Sequence, residues 1–333
     1  MPETLTVFCP LGLANRLRVL LSGLVLARAS GRVFKMLWPL TGACAAPFEM
    51  LFDSPWNVET VSPQSVEDLP YIPGWFGRLP DLLNSPEKDI IVGHPGWLLR
   101  PEQYPAHRRL MEDECAALLA ELRPASEIRA QAEAFRRAHF RPQMIGVHLR
   151  RGDFVHERPD TAHNSAAALE AVQNFLAEWP NAGILLCSDD GAPRPGQRKP
   201  TRTENIQRLF ANHFAERLVT FEAPNLDRSQ VEAVRQALLE FYLLRQTSAF
   251  VGTLGSSFSE MVAFGQTKPH RLTAGAAPGY QIFEMLARKT RLYEILKTLG
   301  RRDTGRDLPF PVLWRYYSRA PLRWLRNRWR RQG

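Results

Sequence analysis

Several things are scarce or missing along the 333 residues of this chain. There are four cysteines, Cys9, Cys44, Cys115 and Cys187, and none belongs to a C-x-x-C or C-x-x-H pair. That spacing argues against a zinc finger and a disulfide scaffold. With Cys9 and Cys187 in apolar runs, it predicts reduced core thiols and a cytoplasmic location. No apolar run reaches the ~18 residues of a membrane span. The chain passes from Met1-Pro-Glu-Thr4 straight into a strand-like run, which predicts no signal peptide. Low-complexity tracts and internal repeats are not visible. Most of the chain also lacks net charge. The total is +9, but residues 300–333 hold ten Arg, no Lys and two Asp, which leaves 33 basic and 32 acidic side chains elsewhere. A neutral body without a basic recognition element argues against a nucleic-acid partner.

What is present suits a globular α/β protein. The length allows two cores, and the pattern of elements supports two domains. Leu5-Thr-Val-Phe-Cys9 reads as a strand, Pro10–Ala14 as a tight loop, and Asn15–Ala29 as a helix with Leu17, Leu20, Leu21 and Leu24 on one face. Gly31 ends that helix and Val33–Trp38 is the next strand, which makes a β-loop-α-β unit, the building block of a parallel sheet. In the loop, Gly12 permits close backbone approach, Asn15 can cap the helix, and Arg16 stands at its positive end. The turn either holds an anion or sugar hydroxyl, or is an ordinary cap with a surface Arg.

A Pro-, Trp- and Gly-rich stretch follows, with strands expected at Asn57–Val61 and Ile90–Val92 and helices at His107–Leu122 and Ser126–His139. Trp75, His94 and Trp97 can line an acceptor cleft by stacking on sugars, but as single residues they read as core fillers. Phe140-Arg-Pro-Gln143 is a plausible hinge.

A second series begins at Met144-Ile-Gly-Val-His-Leu149, a strand that runs into Arg150-Arg-Gly-Asp153. Ligands of open parallel sheets sit at that strand edge, and two adjacent guanidiniums suit a phosphorylated ligand because the planar fork bonds phosphate oxygens in pairs. The alternative is a salt-bridged strand end with Asp153 pairing Arg151. Further elements are expected as a helix at Ala166–Trp179, a strand at Gly183–Cys187, a helix at Glu204–Phe214, a strand at Leu218–Phe221, a helix at Ser229–Arg245, a strand at Ala249–Gly252 and a helix at Ser257–Phe264. Cys187-Ser-Asp-Asp190 brings two carboxylates to the same edge. Their adjacency is wrong for a metal-binding D-x-D and reads as a cap or Asx-turn. Gly252-Thr-Leu-Gly-Ser-Ser-Phe-Ser259 is a small-residue loop whose amides and hydroxyls can cradle phosphate. The Pro-rich basic loop 191–203 reads as a solvated connection.

Taken in order, Gly12-Leu-Ala-Asn-Arg16 with Gly31–Trp38, His148-Leu-Arg-Arg-Gly-Asp153 and Phe250–Ser257 resemble the GDP-fucose-dependent fucosyltransferases. The resemblance covers about residues 5–290, and the His-x-Arg-Arg-x-Asp element is its specific part. It implies a GT-B fold of two Rossmann-like domains facing a cleft. Residues 1–141 would form the acceptor side, 142–299 the GDP-sugar domain, and 300–333 a basic tail. It also implies an inverting transfer of L-fucose from GDP-fucose to a hydroxyl of a bacterial surface or secreted glycan, without a metal or cofactor.

In that reading Arg150 grips the diphosphate, while His148, Arg151 and Asp153 hold its geometry or touch ribose and phosphate. Thr253, Ser256 and Ser257 add donors, and Glu240 accepts the guanine N1 and N2 hydrogens. Gly12 and Asn15 face the fucose. Glu157 is the first choice of catalytic base, with Asp153 or His156 as alternatives. Rival readings are a transferase of another nucleotide-sugar and a non-catalytic nucleotide- or glycan-binding relative with a membrane-adaptor tail. In the tail, Leu322, Leu325 and Trp329 share a face flanked by Arg, which fits a peripheral helix on an anionic bilayer or a tail docked on its own protein.

Overall fold

The computed structural model describes residues 3–72, 79–152, 154, 164–190, 205–222 and 225–274. Trp75, Asp153, His156, Glu157, the basic loop 191–203 and the tail 300–333 lie outside the described residues.

Two parallel sheets organise the chain. The first comprises β1 (Thr4–Phe8), β2 (Val33–Pro39), β3 (Val58–Val61) and β4 (Asp89–Gly93), in the order β3-β2-β1-β4. Between β1 and β2 runs α1 (Leu13–Ala29), and Gly31 ends it in the left-handed region at φ 70°, where a side chain would be strained. The expected helix over 107–122 is broken into α2 (His107–Arg109), a π-helical turn (Leu110–Cys115) and α3 (Ala116–Glu121). One inserted residue leaves the apolar spacing almost intact, so periodicity does not report it. After α4 (Ser126–His139) comes the second sheet.

Its strands are β5 (Met144–Leu149), β6 (Gly183–Ser188), β7 (Leu218–Val219), β8 (Ala249–Thr253) and β9 (His270–Thr273), in the order β7-β6-β5-β8-β9. The helices between them are α5 (Ser165–Glu178), α6 (Ile206–Phe214), α7 (Val231–Arg245) and α8 (Ser257–Ala263). β9 is absent from the sequence expectation. It has four residues, His270-Arg-Leu-Thr273, with the first two exposed on a sheet edge, and carries no apolar run to mark it.

The strand order reverses direction between β1 and β4 in one sheet and between β5 and β8 in the other. Such switch points open a crevice at the carboxyl ends of the strands. The two sheets also share a core. One cluster joins Leu5, Val7, Leu17 and Leu21 around the first sheet to Leu185, Leu238, Phe250 and Met261 on one face of the second. Ile145, Val147, Val172, Ile184, Phe210 and Val251 form a separate cluster on the other face. α1 is buried almost all round because it is covered by its own sheet on one side and by α8 on the other. Its Gly23 is required there: a Cβ would stand 2.9 Å from the Phe34 ring and 3.1 Å from Val7.

Candidate active site

At the second switch point three strand ends converge. Leu149 pairs with Ser188 in register, so the residues that follow, Arg150 and Asp189, are neighbours across β5 and β6. The Arg150 guanidinium donates to Asp189 Oδ2, and the Arg151 amide donates to Asp189 Oδ1 at 2.6 Å. On the other side, the Arg150 amide donates to Thr253 Oγ1 at 2.9 Å, at the end of β8. The Arg150 side chain is 15% exposed and its Cζ lies 5.5 Å from the Phe154 ring centre. A fixed, always-charged fork is thus held at the crevice by a carboxylate on one strand end and its own backbone on another.

Asp189 therefore corrects the reading of Asp189-Asp190 as a simple cap or Asx-turn. Asp190 does serve that purpose, since its Oδ2 accepts the Ile206 amide at 3.2 Å at the start of α6. Asp189 instead orients Arg150.

Behind this edge lies a polar lattice. Thr253 Oγ1 also accepts from Asn164 Nδ2 at 3.2 Å, and Asn164 Nδ2 reaches Thr273 Oγ1 at 3.0 Å. Ser259 Oγ accepts the Thr253 amide at 3.0 Å and is hydrogen-bonded to His148 Nδ1 at 2.7 Å. His148 points inward, 6% exposed, with its ring 4.5 Å from Phe258, and burial pushes its pKa down to about 4. It is a neutral brace between β5 and α8. Arg151 is buried as well, at 3% exposure.

The Ser-rich loop is less open than its composition suggests. The amides of Thr253, Leu254, Gly255 and Ser256 donate to Ser259 Oγ, the Thr273 carbonyl, Glu260 Oε1 and the Thr253 carbonyl respectively. Ser256, 2% exposed, accepts the Ser259 amide at 3.4 Å as the cap of α8. Ser257 is half-buried beside it.

Glu240, on α7, sits under the same edge. It is half-buried rather than on a charged surface, and Gln236 Nε2 donates to its Oε1 at 3.2 Å. Burial, reinforced by the negative charge of Asp189, pushes its carboxyl up to about 7 against the pull of hydrogen bonds from Gln236 and Cys187. The Cys187 thiol is pushed up in turn by burial and by Glu240, and all four cysteines are buried free thiols.

The first switch point presents the turn after β1. Gly12, extended at φ −66° and ψ 168°, is the N-cap of α1, and a Cβ on it would meet Arg228 Nη1 at 3.6 Å. Asn15 does not cap the helix. It stands inside the first turn, half-buried, with an Oδ1 that is shielded from solvent and lacks a hydrogen-bond partner. Arg16 is not at the surface either. At 0% exposure it donates to the Leu11 carbonyl at 2.7 Å and Thr41 Oγ1 at 3.0 Å, with Trp38 at 4.8 Å, so it braces the turn rather than offering charge. His94 is fully buried, hydrogen-bonded to Gly96 and to Arg100, and Trp97 packs on Phe264 at 4.8 Å. His94 is a core residue, and Trp97 is partly buried against the core.

Among the described residues, no group of three His, Cys, Asp or Glu is arranged to hold a metal ion, and no helix is long and apolar enough to cross a membrane.

By sequence, neither a protein-family model nor a curated protein matches the chain. By structure it is similar to a NodZ alpha-1,6-fucosyltransferase soaked with GDP-fucose, at 18% identity and a TM-score of 0.50, over 78% of this chain and 91% of that one. It is also similar to fucosyltransferase NodZ from Bradyrhizobium, at 18% identity and a TM-score of 0.49, over 79% and 92% of the two chains. POFUT1 in complex with GDP-fucose aligns at 15% identity and a TM-score of 0.47, over 82% and 98%. With two Rossmann-like parallel sheets in this arrangement, the fold is GT-B.

Proposed function

We propose that the chain is an inverting glycosyltransferase that moves L-fucose from GDP-fucose to a hydroxyl of a glycan acceptor. The observation that carries this reading is Arg150 at the switch point of the second sheet, its guanidinium held by Asp189 and its backbone amide by Thr253. The similarity of the fold to an enzyme soaked with GDP-fucose supports the choice of donor. Residues 142–299 then form the donor unit and 1–141 the acceptor unit.

When the sugar–phosphate bond breaks, negative charge grows on the β-phosphate. A cation that is already oriented stabilises that charge without reorganising, which lowers the barrier. The acceptor hydroxyl attacks the anomeric carbon from the face opposite GDP, the configuration inverts, and the hydroxyl proton passes to a base. Glu157 is our assignment for that base, with Asp153 and His156 as alternatives. Arg151 and His148 support the strand end, and Thr253, Ser256 and Ser257 frame the diphosphate. Glu240, as a carboxylate, accepts the two donors of the guanine edge, an arrangement adenine does not match. On the facing unit, the turn that carries Gly12 and Asn15 faces the fucose. The chemistry asks for no metal, because Arg150 supplies the charge that a divalent ion provides elsewhere.

The test is release of GDP and fucose from GDP-fucose without added acceptor, followed by transfer to a glycan panel with labelled donor. Slow hydrolysis that accelerates with one acceptor supports the reading. Absence of turnover with GDP-fucose, alongside turnover of another nucleotide-sugar, contradicts it.

A further inference from the structure

The two halves of the molecule are joined beside this site by an ion pair whose Arg is buried and whose Glu is partly exposed. Arg18, on α1 and 4% exposed, donates to Glu260 Oε2 at 2.6 Å and to the Ser257 carbonyl at 3.4 Å. Its guanidinium lies 5.9 Å from the Trp97 ring centre, so the junction is closed by Trp97 and Phe264 around the pair. The second oxygen of Glu260 accepts the Gly255 amide at 3.0 Å, where the chain turns at φ 76°. One carboxylate of the second half therefore holds the turn that follows Thr253, and a cation from the first half holds that carboxylate.

A negative group at this place has a cost. Thr253 takes the Arg150 amide, and Gly255 lies two residues further on, so Glu260 stands in the same edge as the proposed diphosphate site. A carboxylate and a diphosphate held close together repel each other, and a cation paired with the carboxylate lowers that repulsion. A neutral residue would avoid the repulsion, but Glu260 is paired across the junction instead.

We propose that Arg18 is a positioning residue for the nucleotide site: by pairing with Glu260 it cancels the carboxylate's charge beside the diphosphate while Glu260 keeps the Gly255 turn in shape. This rests on the GDP reading above. It adds that the first half, otherwise the acceptor side, tunes donor affinity through electrostatics and without touching the donor. A substitution of Arg18 acts on the phosphates and spares the base and ribose.

The experiment compares GDP with guanosine, which lacks the phosphates, by titration calorimetry on the full chain. In Arg18→Met, GDP affinity falls about tenfold or more while guanosine affinity is unchanged, and the loss shrinks as salt is raised. Adding Glu260→Gln to that variant restores GDP affinity to within about threefold, because the neutral amide still accepts from Gly255. The double variant also stands alone should Arg18→Met not fold, since removing both charges leaves the buried position without an uncompensated ion. Equal loss of GDP and guanosine affinity in Arg18→Met, or a tenfold GDP deficit in the double variant, overturns the proposal. If the wild type binds GDP no more tightly than guanosine, the nucleotide reading fails first and this inference with it.

Discussion

Glu240 joins a catalytic question to a titration. Its carboxyl is pushed up to about 7 by burial, so the free protein carries it protonated below that pH. The guanine edge offers two donors and needs the ionised form, hence binding releases a proton there. GDP affinity is therefore flat above about pH 7 and falls below it by as much as tenfold per unit. Glu240→Gln weakens GDP binding and removes the pH dependence, which calorimetry in buffers between pH 5.5 and 8.5 reads directly. Stability moves in the opposite sense: the raised carboxyl favours folding at pH below the ordinary carboxylate range, and that contribution is lost as the pH rises through about 7. Asp189 shows what single residues conceal. Adjacent aspartates read as a turn, and only the pairing of Leu149 with Ser188 reveals that one of them stands beside Arg150. Asn15 and Arg16 mislead in the same way, since the chain before a helix does not say which residue will be the cap and which will turn inward.

Among the elements, the strongly periodic ones are legible in the sequence. Met144–Leu149 and Ser126–His139 have the boundaries their patterns predict. The π-helical turn at Leu110–Cys115 and the edge strand β9 are not legible, the first because its apolar face is preserved and the second because it is short and polar. The link between β5, β8 and α8 depends on Ser259, a residue with no sequence signal beyond being small. Its hydroxyl receives the Thr253 amide and bonds His148 in a site with no solvent access. Ser259→Ala leaves that amide without an acceptor and costs about 1–3 kcal/mol. Urea denaturation monitored by circular dichroism should show the midpoint fall with the slope unchanged. A midpoint equal to that of the wild type would mean the lattice is not rigid.

At the scale of the whole molecule, the two Rossmann-like halves follow from alternating strands and helices, but their shared core does not. Leu17 and Leu21 of α1 belong to the same cluster as Met261 of α8, and no local pattern announces that a helix will be covered from both sides. We propose that the basic Trp-rich tail 300–333 binds an anionic membrane surface, where each Arg near the lipid contributes about 1 kcal/mol. Deletion of 306–333 should reduce co-sedimentation with anionic vesicles and leave GDP-fucose hydrolysis unchanged. Equal sedimentation of both forms refutes a membrane role for the tail.

The central claim is that the guanidinium at the end of β5 meets a guanosine diphosphate. Titration of GDP, UDP and ADP into the wild type and into Arg150→Ala tests it most directly. The account predicts binding selective for GDP and weakened about tenfold to a hundredfold in the variant, the size of a lost charged hydrogen bond. GDP binding of equal strength in Arg150→Ala would contradict it.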